Sequence, residues 1–502
     1  MKKKPRILFW IYGFFLHYCL AYHLQSHLDA DFFAIIDINS KPKIFFQTQN
    51  LVKFQKLWFL HDQIKKTKAD PDMDYLSQFE RKYGIDLWKL ALNERIFYEH
   101  NRFYKFSRRE ILTILEQETK FFEGVLDEIN PDYFLTYEPM FHQQKLLLEV
   151  CKARGIKVLS ISGTGIENNH IITENGATFD LDQSHNVDKK LTREGTNSST
   201  KHDYDALFQD NLKYHNIKIS NKLRALMDYL SDSDADLVNS NFMYYGRSKF
   251  KVVKDALLLE IRRKQNYKFL QKHSVSSPSL KIPFVYFPMN INMEMNLLHY
   301  APYYTNQIEV IRHIAKSLPV DYVLYVKEHI AAGLRGWNSI NYYKQIIEIP
   351  NVVLISPNFD NNTLLQNAKL IMTVRGTASL KALKYGKPAI VFGDQPIQIM
   401  PSVFKVGSLS ALPELIKKAL EYKTDPADYD KYKNLLSDRL FQFNTFEFEN
   451  KRDAGFFSGG IYSNVLFSEK NMTEFIDKNE GMLSGLLNAH LKILSGDITP
   501  LK

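Results

Sequence analysis

The chain has 502 residues, too many for one ordinary hydrophobic core, and its 45% hydrophobic share is that of folded protein, so two packed domains are expected. A count of 65 Lys and Arg against 56 Asp and Glu leaves a formal net charge of +9. No long basic run or zinc-finger spacing accompanies that charge, which sets nucleic acid aside in favour of an anionic membrane surface or an acidic glycan. Cys19 and Cys151 are the two cysteines, which excludes a disulfide framework and suits a reducing cytoplasm, and metal-ligand spacing is absent.

Lys2-Lys3-Lys4 ahead of the apolar run Ile7 to Leu16 imitates a signal peptide. The run is broken by Gly13, followed by His17, His23 and His27, lacks a small-x-small cleavage pattern, and falls short of the roughly 20 apolar residues that span a bilayer. It therefore predicts a buried first strand, Ile7 to Tyr12, followed by a helix from Phe14 to Leu28 and a second strand from Phe32 to Ile38. Asp37 near the end of that strand reads as a solvated loop carboxylate more readily than as a ligand-facing group. From Asn50 to Leu126 the pattern is helical, with Tyr75, Phe79, Tyr83, Ile111, Leu115 and Phe122 recurring at helical steps. A strand from Tyr133 to Tyr137, a helix from Phe141 to Arg154 and a strand from Lys157 to Ile161 follow. Gly163-Thr164-Gly165 then allows a tight turn at the edge where α/β sheets bind ligands.

Between about Glu174 and Ser279 the composition shifts to Asn, Ser, Asp and Lys, with loops at Asn197-Ser198-Ser199-Thr200 and Asp232 to Asp236. Tyr244 to Lys272 mixes basic residues with Phe250, Val253, Leu257, Leu258 and Ile261, as in a domain-linking helix with one solvated face or a helix lying on a membrane surface. A regular alternation begins at Ile282, with strands at Phe284 to Phe287, Tyr322 to Lys327, Val352 to Ile355, Leu370 to Val374 and Ala389 to Phe392. Helices at Tyr303 to Ser317, Tyr342 to Glu348, Asn361 to Asn367 and Thr377 to Tyr385 separate them, which predicts a parallel sheet covered on both faces. The remainder from Leu409 is mostly helical, with a Phe-rich loop from Phe441 to Phe457. The expected domains are residues 1–175, a connecting region 176–280, a second domain 281–425 and a helical extension 426–502.

Thr373-Val374-Arg375-Gly376-Thr377-Ala378-Ser379 passes from a strand end into a helix. Unpaired N–H groups and the dipole at a helix start favour a phosphate, Gly376 permits its close approach, and Thr377 and Ser379 supply hydroxyls. Lys327-Glu328-His329 ends another strand of the same sheet and should face the same crevice, with His329 donating to a nucleotide phosphate and Lys327 adding charge.

These residues resemble bacterial capsule polysaccharide biosynthesis proteins, which are similar to transferases using CMP-activated Kdo or sialic acid. The likeness lies in Val285-Tyr286-Phe287-Pro288 with Glu294 beyond it, in Tyr325-Val326-Lys327-Glu328-His329, and in Arg375-Gly376-Thr377-Ala378 with Gly386-Lys387-Pro388-Ala389-Ile390-Val391-Phe392-Gly393, and covers about Ile282 to Gly393. It implies a glycosyltransferase with two facing Rossmann-like domains, the GT-B arrangement, and a donor site in the second domain in which His329, Thr377 and Ser379 match the family's donor-phosphate contacts; Lys327, Arg375 and Gly376 complete the expected donor site, and Glu294 is expected to orient donor or acceptor. The chain departs from the family at Ile330, where a proline would follow His329, and at Lys381, where such helices commonly carry a ribose-binding Glu. A transferase without metal or cofactor needs a base to deprotonate the acceptor hydroxyl. Glu138 is the first choice, with His142 near it and Glu167 as the alternative. The implied activity is inverting transfer from a nucleotide sugar, a CMP-sugar above others, onto a surface or capsular glycan or its lipid-linked form. The cytoplasmic side of the membrane is the expected location, with peripheral contact to anionic lipid. The alternatives are a sugar-nucleotide epimerase of the same shape and a degenerate, glycan-binding assembly protein.

Overall fold

The structure is a computed structural model describing residues 4–181, 219–232 and 241–496. The loops expected at 197–200 and 233–236 lie outside the described residues. The chain divides into two compact units, one of Met1–Glu174, Thr200–Val252 and Arg439–Lys502, the other of Asn175–Ser199 and Val253–Asp438.

In the first unit, strands β1 (Arg6–Tyr12), β2 (Asp31–Asp37), β3 (Phe54–Phe59), β4 (Tyr133–Tyr137), β5 (Lys157–Gly163) and β6 (Asn169–Thr173), with a short strand Phe441–Gln442, form one sheet. From β3 it runs through β2, β1, β4 and β5 to β6. β3 to β5 are parallel throughout, and β6 and the short strand close the far edge antiparallel. β1 is apolar on both faces because both are covered. Ile7, Phe9 and Ile11 enter a core shared with the Leu16–Leu24 helix and the C-terminal residues Phe448, Met472 and Leu486. Leu8 and Trp10 enter a second core with Leu115 and Phe122 of the Arg108–Ile129 helix and Leu146 of the His142–Ala153 helix. The C-terminal helices thus build the first unit's core.

Three local expectations change. β3 interrupts the stretch read as helical; in Phe-Gln-Lys-Leu-Trp-Phe only Trp58 is buried, as suits a strand on the sheet edge. Gly163-Thr164-Gly165 makes the tight turn, but within the antiparallel β5–β6 hairpin. The Phe-rich loop is in part the short strand and in part a helix, Thr445–Phe456, capped by the Asn444 side chain accepting from the Glu447 N–H, with Phe448 and Phe456 in the core.

In the second unit β7 (Phe284–Pro288), β8 (Val323–Lys327), β9 (Val352–Ile355), β10 (Leu370–Thr373), β11 (Ala389–Val391) and β12 (Val403–Lys405) form an all-parallel sheet ordered β12-β11-β10-β7-β8-β9. The chain winds outward from β7 to β9, then returns to the other side of β7 and winds outward again, which is the doubly wound Rossmann order. Val285, Phe287, Leu324 and Val326 pack on the Gln307–Ser317 and Leu412–Glu421 helices through Ile311, Ile314 and Ile416. Both sheets are therefore α/β and mostly parallel, as the sequence pattern requires.

Candidate functional site

In a doubly wound sheet a crevice opens at the carboxyl ends of the two strands where the winding reverses. In the second unit those strands are β7 and β10. Beyond β10 the chain runs through Val374 and Arg375 to Gly376, which is extended at φ 164° and directly precedes the Thr377–Lys384 helix. Gly376 has no side chain to cap that helix start, and its own N–H donates to Gln395 Oε1 at 3.5 Å, so the first N–H groups of the helix border the crevice. A Cβ on Gly376 would lie in van der Waals contact with Asn290 Nδ2 at 3.4 Å, so the loops after β7 and β10 pack closely here. Thr377 is half-buried at the first helical position.

The motif's other side chains turn inward. Arg375 is buried, with its guanidinium 3.6 Å from the centroid of the Tyr300 ring and its NH2 donating to the Gly176 carbonyl at 2.9 Å. The Ser379 hydroxyl is fully buried, 2.9 Å from the Gly376 carbonyl and 3.1 Å from Gln395 Oε1. Both brace the turn rather than line its mouth. Lys381 stands half-buried on the second turn of the same helix.

β8 lies on the other side of β7, so His329 and Gly376 follow strands two apart, roughly 10 Å at usual sheet spacing. His329 is exposed, and its Nδ1 accepts from the Ala331 N–H at 3.2 Å, which puts the neutral ring's proton on Nε2. Lys327 is buried instead, its ammonium donating to Asn361 Oδ1 at 2.6 Å. Glu294, past β7 and half-buried, has Arg335 NH2 3.9 Å from its Oε1.

A polar network not singled out from the sequence joins the loops after β7, β8 and β10. Asn290 Nδ2 donates to the Arg375 carbonyl. Gln307, fully buried, accepts from the Asn290 N–H at 2.7 Å and donates to the Asn290 carbonyl at 2.8 Å and to Asn292 Oδ1 at 2.6 Å. Asn292 Nδ2 donates to Asn338 Oδ1 at 2.9 Å, and Asn338 Nδ2 to Glu328 Oε2 at 2.6 Å. Glu328 also accepts from the Tyr343 hydroxyl at 2.9 Å and the His329 N–H at 2.9 Å. Burial raises the Glu328 carboxyl above the usual range, while these donors pull it down. Each member is ordinary alone; Gln307 at the head of an amphipathic helix was the one legible signal.

In the first unit the winding reverses between β1 and β4, and Glu138 is the first residue past β4, buried, with its N–H bonded to the Ile161 carbonyl at 3.1 Å. Its loop is pinned: Gln144 accepts from the Met140 N–H at 2.9 Å and donates to the Tyr137 carbonyl at 2.9 Å, and Arg95 donates to the Met140 carbonyl at 2.6 Å. His142, expected as a second base candidate, is wholly buried, with Nδ1 3.1 Å from Glu94 Oε2 and Nε2 3.0 Å from Glu118 Oε2. Burial alone would lower its pKa, but the two carboxylates, Glu118 foremost, outweigh it and hold the ring protonated, pushed up to about 10. A buried imidazolium between two carboxylates has no lone pair to offer an acceptor. Glu167 is half-buried in the β5–β6 turn at φ 50°. Asp37 is no solvated carboxylate, because His61 Nε2 lies 2.8 Å from its Oδ1.

Residues 209–400 match the family of capsule polysaccharide biosynthesis proteins, and the stretch Ile282 to Gly393 that carries the resemblance falls inside the match. No curated protein matches the chain significantly. Among solved structures, a KpsC beta Kdo 2,7 transferase from Thermosulfurimonas dismutans is similar at 10% identity over 69% of this chain and 87% of that one, with a TM-score of 0.30. UDP-GlcNAc 2-epimerase from Methanocaldococcus jannaschii is similar at 14% identity over 87% and 100%, with a TM-score of 0.25. The Neisseria meningitidis enzyme of that name is similar at 15% over 85% and 94%, with a TM-score of 0.26. Overlap this loose says nothing about the activity of the present chain.

Proposed function

We propose that the protein is a glycosyltransferase that takes a sugar from a nucleotide donor, a CMP-sugar first, and adds it to a growing surface or capsular glycan. One observation carries the reading. Within the stretch that matches capsule biosynthesis proteins, an uncapped helix start behind Gly376 and a histidine with its donor nitrogen at Nε2 flank the central strand at the switch point. Backbone N–H groups and an imidazole N–H held on rigid strand ends stabilise the charge that develops on a departing nucleotide phosphate without reorganising. Gly376, Thr377 and His329 are the proposed donor contacts. Lys327, Arg375 and Ser379 act as the frame that holds them, and Glu294 helps to orient a substrate. Glu138 is the proposed acceptor base, with Glu167 the second candidate.

Thermal shift with CMP, UDP and GDP sugars tests the donor assignment. A CMP-sugar should raise the melting temperature most, and His329→Ala should remove that rise. Glu138→Ala should keep the rise and abolish transfer. Turnover of the nucleotide sugar without an acceptor would favour epimerisation, and stabilisation by no nucleotide sugar would end the transferase reading.

A further inference from the structure

The Lys249–His273 helix carries two apolar faces, and among the described residues only one of them is covered. At about 100° per residue, Leu259, Asn266 and Leu270 share a side. That side is packed: Leu259 lies so close to Gly336 that a Cβ there would meet its Cδ1 at 2.7 Å, Asn266 donates to the Gly336 carbonyl at 3.1 Å, and Leu270 is fully buried. Tyr267 stacks on Trp337 beside them, with ring centroids 5.3 Å apart.

On the opposite side stand Leu257 and Ile261, one turn apart, 64% and 53% exposed. Lys264 and Lys268 continue the same stripe and are exposed, and Lys254 and Lys272, also exposed, border it. The helix has two acids, both half-buried: Asp255 lies off this stripe, and Glu260, at its flank, is engaged by Arg263 at 2.6 Å. All these residues belong to the second unit. An apolar line edged by cations, its one flanking acid paired with an arginine, is complementary to a surface with a negative outer layer over hydrocarbon. Among the described residues no helix is long and apolar enough to cross a membrane, so such contact lies in the plane of the bilayer.

We propose that this face seats the protein on an anionic lipid bilayer. Leu257 and Ile261 enter the acyl boundary, and Lys254, Lys264, Lys268 and Lys272 lie among lipid phosphates. The assignment is independent of the donor site, because adsorption to lipid needs no nucleotide sugar. Co-sedimentation of the full chain with vesicles tests it. Binding is expected to vesicles of phosphatidylcholine and phosphatidylglycerol in equal parts, and not to phosphatidylcholine alone. Leu257→Asp with Ile261→Asp, and separately Lys264→Glu with Lys268→Glu, should each weaken binding about tenfold or more. The substituted positions are exposed, so melting temperatures should hold. Failure of the wild type to bind anionic vesicles, equal binding to the neutral ones, or undiminished binding by either pair would overturn the proposal. So would a wild-type oligomer that the Leu257→Asp, Ile261→Asp pair dissolves, since a second copy would then cover the stripe.

Discussion

His142→Gln tests the electrostatics of the first unit. In the native protein the imidazolium is enclosed by Glu94 and Glu118, all three side chains at most 1% exposed. With the folded pKa near 10 against an ordinary 6.5, the raised value means the folded state binds the proton more tightly. The resulting stability is fully present below pH 6.5 and is lost as pH rises through 10. At about 1.36 kcal/mol per pKa unit this comes to roughly 4 kcal/mol at pH 7 and less than about 1 at pH 10. Removing one partner of a buried ion cluster costs about 3–5 kcal/mol, which agrees. For a unit of this size the loss lowers the melting temperature by roughly 10 °C at pH 7. Trp10, Trp58 and Trp88 lie in the first unit and Trp337 in the second, so tryptophan fluorescence reports mainly on the unit concerned. The gap between wild type and variant should be widest below pH 7 and close towards pH 10. A gap that does not change with pH would show that His142 is neutral in the folded protein and refute the argument.

Three further outcomes follow from the second unit and the core. Gln307→Leu leaves the Asn290 N–H and carbonyl without the partners that hold them, so it should cost about 2–4 kcal/mol by urea unfolding and also weaken nucleotide binding. Gly376→Ala meets Asn290 Nδ2 at 3.4 Å on a backbone that tolerates a side chain; it should leave the melting temperature nearly unchanged while titration calorimetry shows nucleotide affinity lowered about tenfold. Burial pushes the Cys19 and Cys151 thiols up, so mass spectrometry after iodoacetamide should find neither alkylated in the native protein and both alkylated in urea.

The central strands of both sheets were legible because central parallel strands are covered on two faces and must be apolar throughout, as in Arg6–Tyr12 and Phe284–Pro288, whereas β6, β12 and the short strand Phe441–Gln442, all at or next to a sheet edge, were not read. β3 escaped because an edge strand keeps Gln55 and Lys56 in solvent and loses that signature. The return of the chain from Arg439 onward into the first unit could not be read, since the pairing of Phe441 with His170 joins residues far apart in sequence. His142 illustrates the same limit: its position after a strand end was visible, but its partners Glu118 and Glu94 stand 24 and 48 residues away.

The candidate donor site was legible as a place and only in part as a set of contacts. Residues just beyond the strand where winding reverses must border the crevice, so the order of strands alone brings Gly376 and Asn290 together in one unit and sets Glu138 beside the end of β1 in the other. Sequence does not say which way a side chain turns once there. Arg375 and Ser379, which the motif alone would direct at a phosphate, are engaged by Tyr300, Gly176 and Gln395, and Lys327 by Asn361. In the proposed site the anion contacts are therefore the backbone N–H groups, Thr377 and His329. Backbone donors survive every substitution but proline and depend on the loop being held, and the loop is held by the Asn290–Gln307–Asn292–Asn338–Glu328 chain of hydrogen bonds. Affinity for the donor should accordingly be more sensitive to Gln307, which no ligand is expected to touch, than to Ser379, whose hydroxyl the motif alone would have placed on the phosphate.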